Sequence, residues 1–146
     1  MNLVSAMAFL HIVFAALWTG SVVFVTWGVL PVARNGSLET SAISTIVSRL
    51  VTLSRASAAV LLVSGGMMAG RYGDAIMNTT GGYLVLGMAV LWLLLIGFVE
   101  LAARTLTDAL ATDAPGDAVG VASDRFNAAG TVALLLLVDA GLLAAL

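Results

Sequence analysis

Long apolar segments separated by short polar connections make up almost the whole chain. A helix needs about 20 apolar residues to cross the hydrocarbon core of a bilayer, and it bonds all of its backbone groups internally. Four such segments predict membrane spans at about 3–32, 51–70, 82–104 and 125–146. The pattern therefore predicts an all-α integral membrane protein, an up-down four-helix bundle that forms one domain over residues 1–146.

The three connections differ in kind. After the first span, apolar residues at a spacing of three and four over residues 43–50 predict a short amphipathic helix that lies along the inner membrane interface. The second connection, 70–82, is short and glycine-rich, which predicts a tight external hairpin. The third, about 107–124, is rich in Ala, Asp and Gly and predicts a mobile loop.

The arginines orient the predicted spans. Only Arg71 lies by the second connection, whereas the other five of the six cationic residues flank the first and third connections: Arg34, Arg49, Arg55, Arg104 and Arg125. Cytoplasmic loops carry an excess of such residues. We therefore expect a multi-pass protein of the plasma membrane with both termini outside. The first span lacks a basic leading region and is too long for a secretion signal, which favours a retained span.

Composition excludes several classes of function. The chain is 61% hydrophobic and 10% charged, against about 25% charged residues in soluble domains, so the bilayer is its expected partner. Six cationic residues against eight acidic ones leave no basic patch for nucleic acid. The absence of cysteine excludes disulfides and thiolate metal sites. Hydroxyl residues are scattered without a partnering base, which favours a role other than that of an enzyme.

One histidine and one aspartate interrupt the apolar segments. An ionisable group at membrane depth is costly and usually faces the protein interior, often at a functional site. From the rise of a helix, His11 lies about 12 Å and Asp139 about 10 Å from the outer ends of their spans. Met88 lies at a similar level, and Met67 and Met68 lie nearer the surface.

The residues at this depth allow two chemical interpretations and one structural interpretation. Imidazole with thioether suits copper or haem iron, whereas imidazole with carboxylate suits proton handling or a metal. His11, with Met88, Met67 and Met68, is then the candidate metal or haem-iron ligand set, and Asp139 is its polar partner. Alternatively, His11 and Asp139 bond each other and hold the first and last spans together, while the methionines only pack.

The positions of Trp18 in the first span and of the two methionines in the second span affect the choice between these alternatives. Trp18 lies two turns below His11 on the same stripe, where it would either wall a cofactor or pack the bundle. Met67 and Met68 point away from a face rich in small residues, which comprises Arg55, Ala59, Leu62, Gly66 and Ala69. If that face is the packed one, both methionines lie partly toward lipid.

A second polar cluster lies near the inner side. Arg55 is near the start of the second span, and Glu100 is near the end of the third. Arg104 follows Glu100 at the helical spacing for an ion pair. Because an unpaired charge facing lipid is costly, we expect Glu100 to form a structural salt bridge with Arg55, Arg104 or both.

Two spans resemble a known group of membrane proteins. Residues 10–21 read Leu-His-Ile-Val-Phe-Ala-Ala-Leu-Trp-Thr-Gly-Ser and continue to Pro31. This stretch resembles the first helix of the CopD superfamily, which is associated with copper resistance and uptake. It also resembles HemJ-type protoporphyrinogen oxidases, which are small four-helix haem-binding membrane proteins. Residues 54–66 are similar to the second helix of that group. The resemblance implies that His11 is a metal or haem-iron ligand.

The chain also departs from these families. It lacks the lysine expected of a HemJ-type enzyme, and its one histidine excludes bis-histidine haem ligation within one chain. The extra helices and soluble partner domain of the copper family are absent, so a minimal member would form a path as a homo-oligomer.

Three functions follow as alternatives. The first is a CopD-like membrane protein that handles or transports copper at a site in the outer half. The second is a haem-b-binding redox protein or subunit. The third is a cofactor-free structural or assembly subunit of a larger membrane complex.

Overall fold

Four long helical stretches make up nearly all of the computed structural model, which describes residues 2–71 and 73–146. Helix α1 (Leu3–Phe24) continues through a π-helical turn (Val25–Val29) into the short α2 (Leu30–Arg34). The other long helices are α3 (Thr40–Ala69), α4 (Thr80–Leu110) and α5 (Pro115–Ala144), and a 3-10 helix (Gly73–Met77) lies between α3 and α4. The described residues contain no strand. The prediction of an all-α bundle of four long helices is confirmed.

The helices pack in the order in which they follow one another along the chain. Helix α1 packs against α3, α3 against α4 and α4 against α5, and α1 and α2 close the bundle by packing against α5. The closest associations are between α4 and α5 and between α1 and α3. Each of the four stretches has 30 to 32 residues and is long and apolar enough to cross a membrane.

The prediction of a separate interfacial helix over residues 43–50 is wrong. Helix α3 runs unbroken from Thr40 to Ala69, because no proline or glycine interrupts its first half. The apolar positions read as a separate amphipathic helix begin a buried stripe that continues along all of α3 with alternating steps of four and three residues: Ile43, Val47, Leu50, Ser54, Ser57, Leu61 and Ser64. A stripe with this period keeps one face of a helix against its neighbours in a bundle.

The third connection is also shorter than predicted. Helices α4 and α5 leave only residues 111–114 between them, not a mobile loop over about 107–124. Small and apolar side chains of this segment are buried between the two helices: Ala109, Ala118, Val119 and Ala122. Alanine favours helix and lets two helices approach closely, so the alanine-rich composition of this segment extends the bundle instead.

Burial is uneven along the bundle. We call the end formed by α2, the start of α3, the end of α4 and the start of α5 the packed end, and the opposite end the open end. In α4, every buried residue other than Gly82 lies at or after Leu95. In α5, Asp139 is the one buried residue after Ala133. Most charged side chains also lie at the packed end.

Candidate metal site

His11 lies toward the open end, on the face of α1 that packs against α3. Its ring is half-buried, and its Nδ1 atom lies 2.9 Å from Oγ of Ser64, which is buried. The next residue on α3 is Gly65, where a Cβ atom would lie 3.0 Å from Cε1 of His11. The glycine therefore leaves the space that the imidazole occupies against α3.

The partners of Ser64 determine which nitrogen of His11 carries the proton. The Ser64 hydroxyl also lies 2.7 Å from the backbone carbonyl of Val60, one turn earlier on α3. A carbonyl only accepts and a hydroxyl has a single proton, so Ser64 donates to Val60 and accepts from His11. Nδ1 of His11 is then the N–H donor, and the lone pair of Nε2 is left available to a ligand in the neutral ring.

A groove lies beyond His11 at the open end, between α1 and α3. Its volume is about 430 Å³, and Val4, Ala8, Met68 and Arg71 line it. Val4 and Ala8 precede His11 on the same face of α1. Met68 follows Ser64 by one turn of α3 and so shares the face of Ser64, since residues four apart are neighbours on a helix.

The structure separates the two adjacent methionines of α3. Met67 is 48% exposed on the outside of the bundle, whereas Met68 is half-buried and lines the groove. The face rich in small residues is not the packed face of α3, because Leu62 at its centre is 60% exposed. The packed stripe passes through Leu61 and Ser64 instead, and Met68 continues it.

Asp139 lies on a different helix pair from His11. It is 9% exposed on α5, and a Cβ atom on Gly87 of α4 would lie 3.7 Å from its Oδ2. Oδ2 has no hydrogen-bond partner among the described residues, and no hydrogen bond joins Asp139 to His11 within them. Met88 is half-buried beside Gly87 on α4, a helix that has few contacts with α1. These two residues are thus associated with the α4–α5 pair.

Trp18 belongs to the core. Its side chain is completely buried, and its Nε1 donates a hydrogen bond of 2.6 Å to Oγ of Ser54 on α3. Both faces of the ring are therefore covered by protein, so the structure favours packing over the alternative of a cofactor wall. Trp18 joins α1 to α3 in the same way that His11 does, through a ring nitrogen and a serine.

The second polar cluster forms an ion pair. Nε and Nη2 of Arg55 donate to the two carboxylate oxygens of Glu100 at 2.6 and 2.9 Å, which is a bidentate contact between α3 and α4. The side chain of Arg55 is 63% exposed and that of Glu100 is 24% exposed. Arg104 is exposed and makes no salt bridge with Glu100 in the part of the chain described. Of the two arginines expected to pair with Glu100, Arg55 is the one that contacts it in the described residues.

Sequence reasoning missed Ser64 and Gly65 as the residues that hold the His11 ring. The available indication was the regular period of the α3 stripe, which places three serines on one buried face. One of these serines is Ser57, whose Oγ atom is buried and has no hydrogen-bond partner among the described residues. The same is true of the Nε1 atom of Trp92 on α4. The described residues contain no group of three or more His, Cys, Asp or Glu side chains that could hold a metal ion.

Comparisons of the chain with protein-family models, with curated proteins and with solved structures find no match.

Proposed function

We propose that this protein is a multi-pass membrane protein that binds cuprous copper at its open end and handles it there, as its resemblance to the CopD superfamily implies. His11 is the principal ligand. Copper is the cargo in this proposal, and the four long apolar helices provide the membrane domain through which it is handled.

The observation that carries the proposal is the fixed orientation of the only histidine. Histidines that bind metals almost always donate their second ring N–H to another protein group, which fixes both the tautomer and the ring orientation. His11 has this arrangement, because Nδ1 is held by Ser64 and the ring rests against Gly65. Nε2 is the atom that would bind the ion.

Met68 supports copper over harder ions. Thioether and imidazole are ligands that suit Cu(I), whereas carboxylates and carbonyls suit magnesium, calcium and manganese. Met68 lines the groove above the contact between His11 and Ser64. We propose that Met68, more than Met67 or Met88, completes the site, and that Asp139 provides an acidic group in the same half of the bundle.

The proposed membrane orientation is consistent with this chemistry. The excess of arginine at the connections of the packed end supports a cytoplasmic position for that end by the positive-inside rule. The open end, with its groove, then faces the outside, where it would meet incoming metal.

Anaerobic titration of the detergent-purified protein with Cu(I) against a competing chelator tests this proposal. We expect one tight site per chain, which His11→Ala removes. Met68→Leu should weaken binding about tenfold or more, and Met67→Leu is the matched control because its side chain faces outward. Circular dichroism and gel filtration establish that each variant is folded.

Two results would contradict the proposal. Copper binding that is unchanged in His11→Ala would remove the site, and equal losses in the two methionine variants would remove the role of Met68. A Soret band in the purified protein that His11→Ala abolishes would assign His11 to haem b instead of copper.

A further inference from the structure

A second groove lies toward the packed end, between α5 and the segment formed by the π-helical turn and α2. Its volume is about 140 Å³. The residues that line it include Trp27, Leu30, Pro31 and Arg34 from this segment and Ser123 and Asn127 from α5. The lining of the groove therefore combines polar and cationic side chains with apolar ones.

The π-helical turn fixes the position of the groove wall. Within this turn, Oγ1 of Thr26 donates to the backbone carbonyl of Phe126 at 3.2 Å. The ring of Trp27 lies over Gly130, where a Cβ atom would approach two ring carbons to 3.1 Å. Thus α1 is held against α5 by a hydrogen bond and by a close ring contact, and the groove is part of the folded bundle.

The polar side chains that line the groove include hydrogen-bond donors. Nε1 of Trp27 lies 3.2 Å from Oδ1 of Asn127. Because an indole N–H only donates, the amide oxygen of Asn127 faces Trp27 and the amide NH₂ is directed elsewhere. Arg34 makes no salt bridge among the described residues. The acidic residues of this part of α5, Asp117 and Asp124, do not line the groove. A guanidinium with an amide NH₂ is a donor set suited to an anion.

If Leu3 lies at the outer edge of the hydrocarbon core, the groove lies at the depth of the inner lipid headgroups. Trp27 follows Leu3 by about 24 residues, or about 36 Å of helix, and the hydrocarbon core is about 30 Å thick. Tryptophan is enriched at this level, and the Trp27 side chain is 44% exposed. Basic pockets between membrane helices on the cytoplasmic side bind anionic headgroups.

We propose that this groove binds the phosphate of an anionic phospholipid of the inner leaflet. Arg34 and the amide NH₂ of Asn127 bind the phosphate oxygens, and Leu30 and Pro31 contact the glycerol and the first acyl methylenes. This inference rests on the membrane placement proposed above and is independent of copper.

Lipid binding to the full-length protein in neutral detergent tests the inference. The probes are phosphatidylglycerol, phosphatidylcholine and glycerol 3-phosphate, followed by native mass spectrometry and by the shift in Tm on lipid addition. We expect phosphatidylglycerol to bind and to raise Tm more than the other two probes, because ligands that bind only the folded state stabilise it.

Two substitutions address the donors, and one serves as the control. Arg34→Gln should weaken phosphatidylglycerol binding about tenfold. Asn127→Asp keeps the acceptor for Trp27 but replaces the NH₂ with a second oxygen, so it should weaken binding at least as much. Arg49→Gln removes an exposed arginine near the same end of the bundle, outside the groove, and should leave binding unchanged.

Equal binding of phosphatidylglycerol and phosphatidylcholine would overturn the inference, as would equal losses in Arg34→Gln and Arg49→Gln. Stabilisation by glycerol 3-phosphate that matches the lipid would show a site for a free phosphate instead. Partition of the protein into the aqueous phase without detergent would overturn the membrane placement itself, which is a different outcome from a membrane protein that is indifferent to the lipid.

Discussion

Trp18 and His11 lie two helical turns apart on α1, and each places a ring nitrogen against a serine of α3. The two contacts differ in burial. The bond from Trp18 to Ser54 is completely enclosed, whereas the His11 ring is half-buried and lies about one helical turn from Ala8 and Met68, which line the open-end groove. The contact between a ring nitrogen and a serine therefore fixes the register of α1 and α3 at Trp18. At His11 the same kind of contact orients a ring that is only half-buried.

The tautomer of His11 can be measured directly. Because the chain has one histidine, protein labelled with ¹⁵N-histidine gives imidazole signals from His11 alone. At a pH where the ring is neutral, we expect the Nδ1–H form, since Ser64 donates to Val60 and can only accept from the ring. Ser64→Ala should shift the population toward Nε2–H, and Ser57→Ala should not. A dominant Nε2–H form in the unsubstituted protein would contradict the assignment.

The space at Gly65 should determine how well His11 binds metal. Gly65→Ala places a methyl group 3.0 Å from Cε1 of His11, so the ring must shift by a few tenths of an ångström, and we expect this shift to weaken its contact with Ser64. Loss of such an orienting contact lowers metal affinity roughly 10–100-fold. Copper titration measures the effect.

The adjacent glycine provides the control for this substitution. A Cβ atom on Gly66 would have no contact within 4 Å, so Gly66→Ala should leave copper affinity unchanged. It should also stabilise α3 by about 0.5–1 kcal/mol, because alanine is favoured over glycine inside a helix. Equal copper affinities in the two variants would show that the ring does not depend on this space.

Two buried serines one turn apart should respond differently to alanine. Ser54→Ala leaves the buried N–H of Trp18 without its acceptor, which costs about 1–3 kcal/mol. The buried Oγ of Ser57 has no partner among the described residues, so Ser57→Ala should be nearly neutral or stabilising. The free energy of unfolding in mixed micelles measures both, and a greater loss in Ser57→Ala would contradict the hydrogen-bond assignment.

The ion pair between α3 and α4 should be specific to one arginine. Arg55→Gln should lower Tm, because Glu100 loses both of its donors, and Arg104→Gln should lower Tm less. The double exchange Arg55→Glu with Glu100→Arg should recover part of the loss. If the two arginine variants have the same Tm, Glu100 is held by general electrostatics and not by the bidentate contact.

Much of the fold can be predicted from the sequence because the lengths of apolar segments are a direct physical requirement of spanning helices. The ends of the helices could not be predicted in the same way. Residues 43–50 have the spacing of an amphipathic helix whether they lie on a membrane surface or continue a bundle, and tertiary packing against neighbouring helices decides between the two.

The candidate site was predictable only as far as residue type allows. His11 and Asp139 are conspicuous because each is an ionisable group in an apolar segment. The choice between Met67 and Met68 depends on which face of α3 is packed, and a face rich in small residues was a misleading guide. The role of Ser64 depends on two linked hydrogen bonds, from His11 to Ser64 and from Ser64 to the carbonyl of Val60, and no spacing rule contains that information.

The uneven core also has a consequence for motion. Backbone amides near Leu106 and Phe126, where neighbouring helices pack tightly, should exchange their hydrogens only on global unfolding. Amides between His11 and the open end should exchange through smaller local fluctuations. The half of the molecule that maintains the fold is then not the half that would admit an ion in the proposed function. Helix ends can separate to let a ligand in or out while the remainder of the bundle acts as a fixed base.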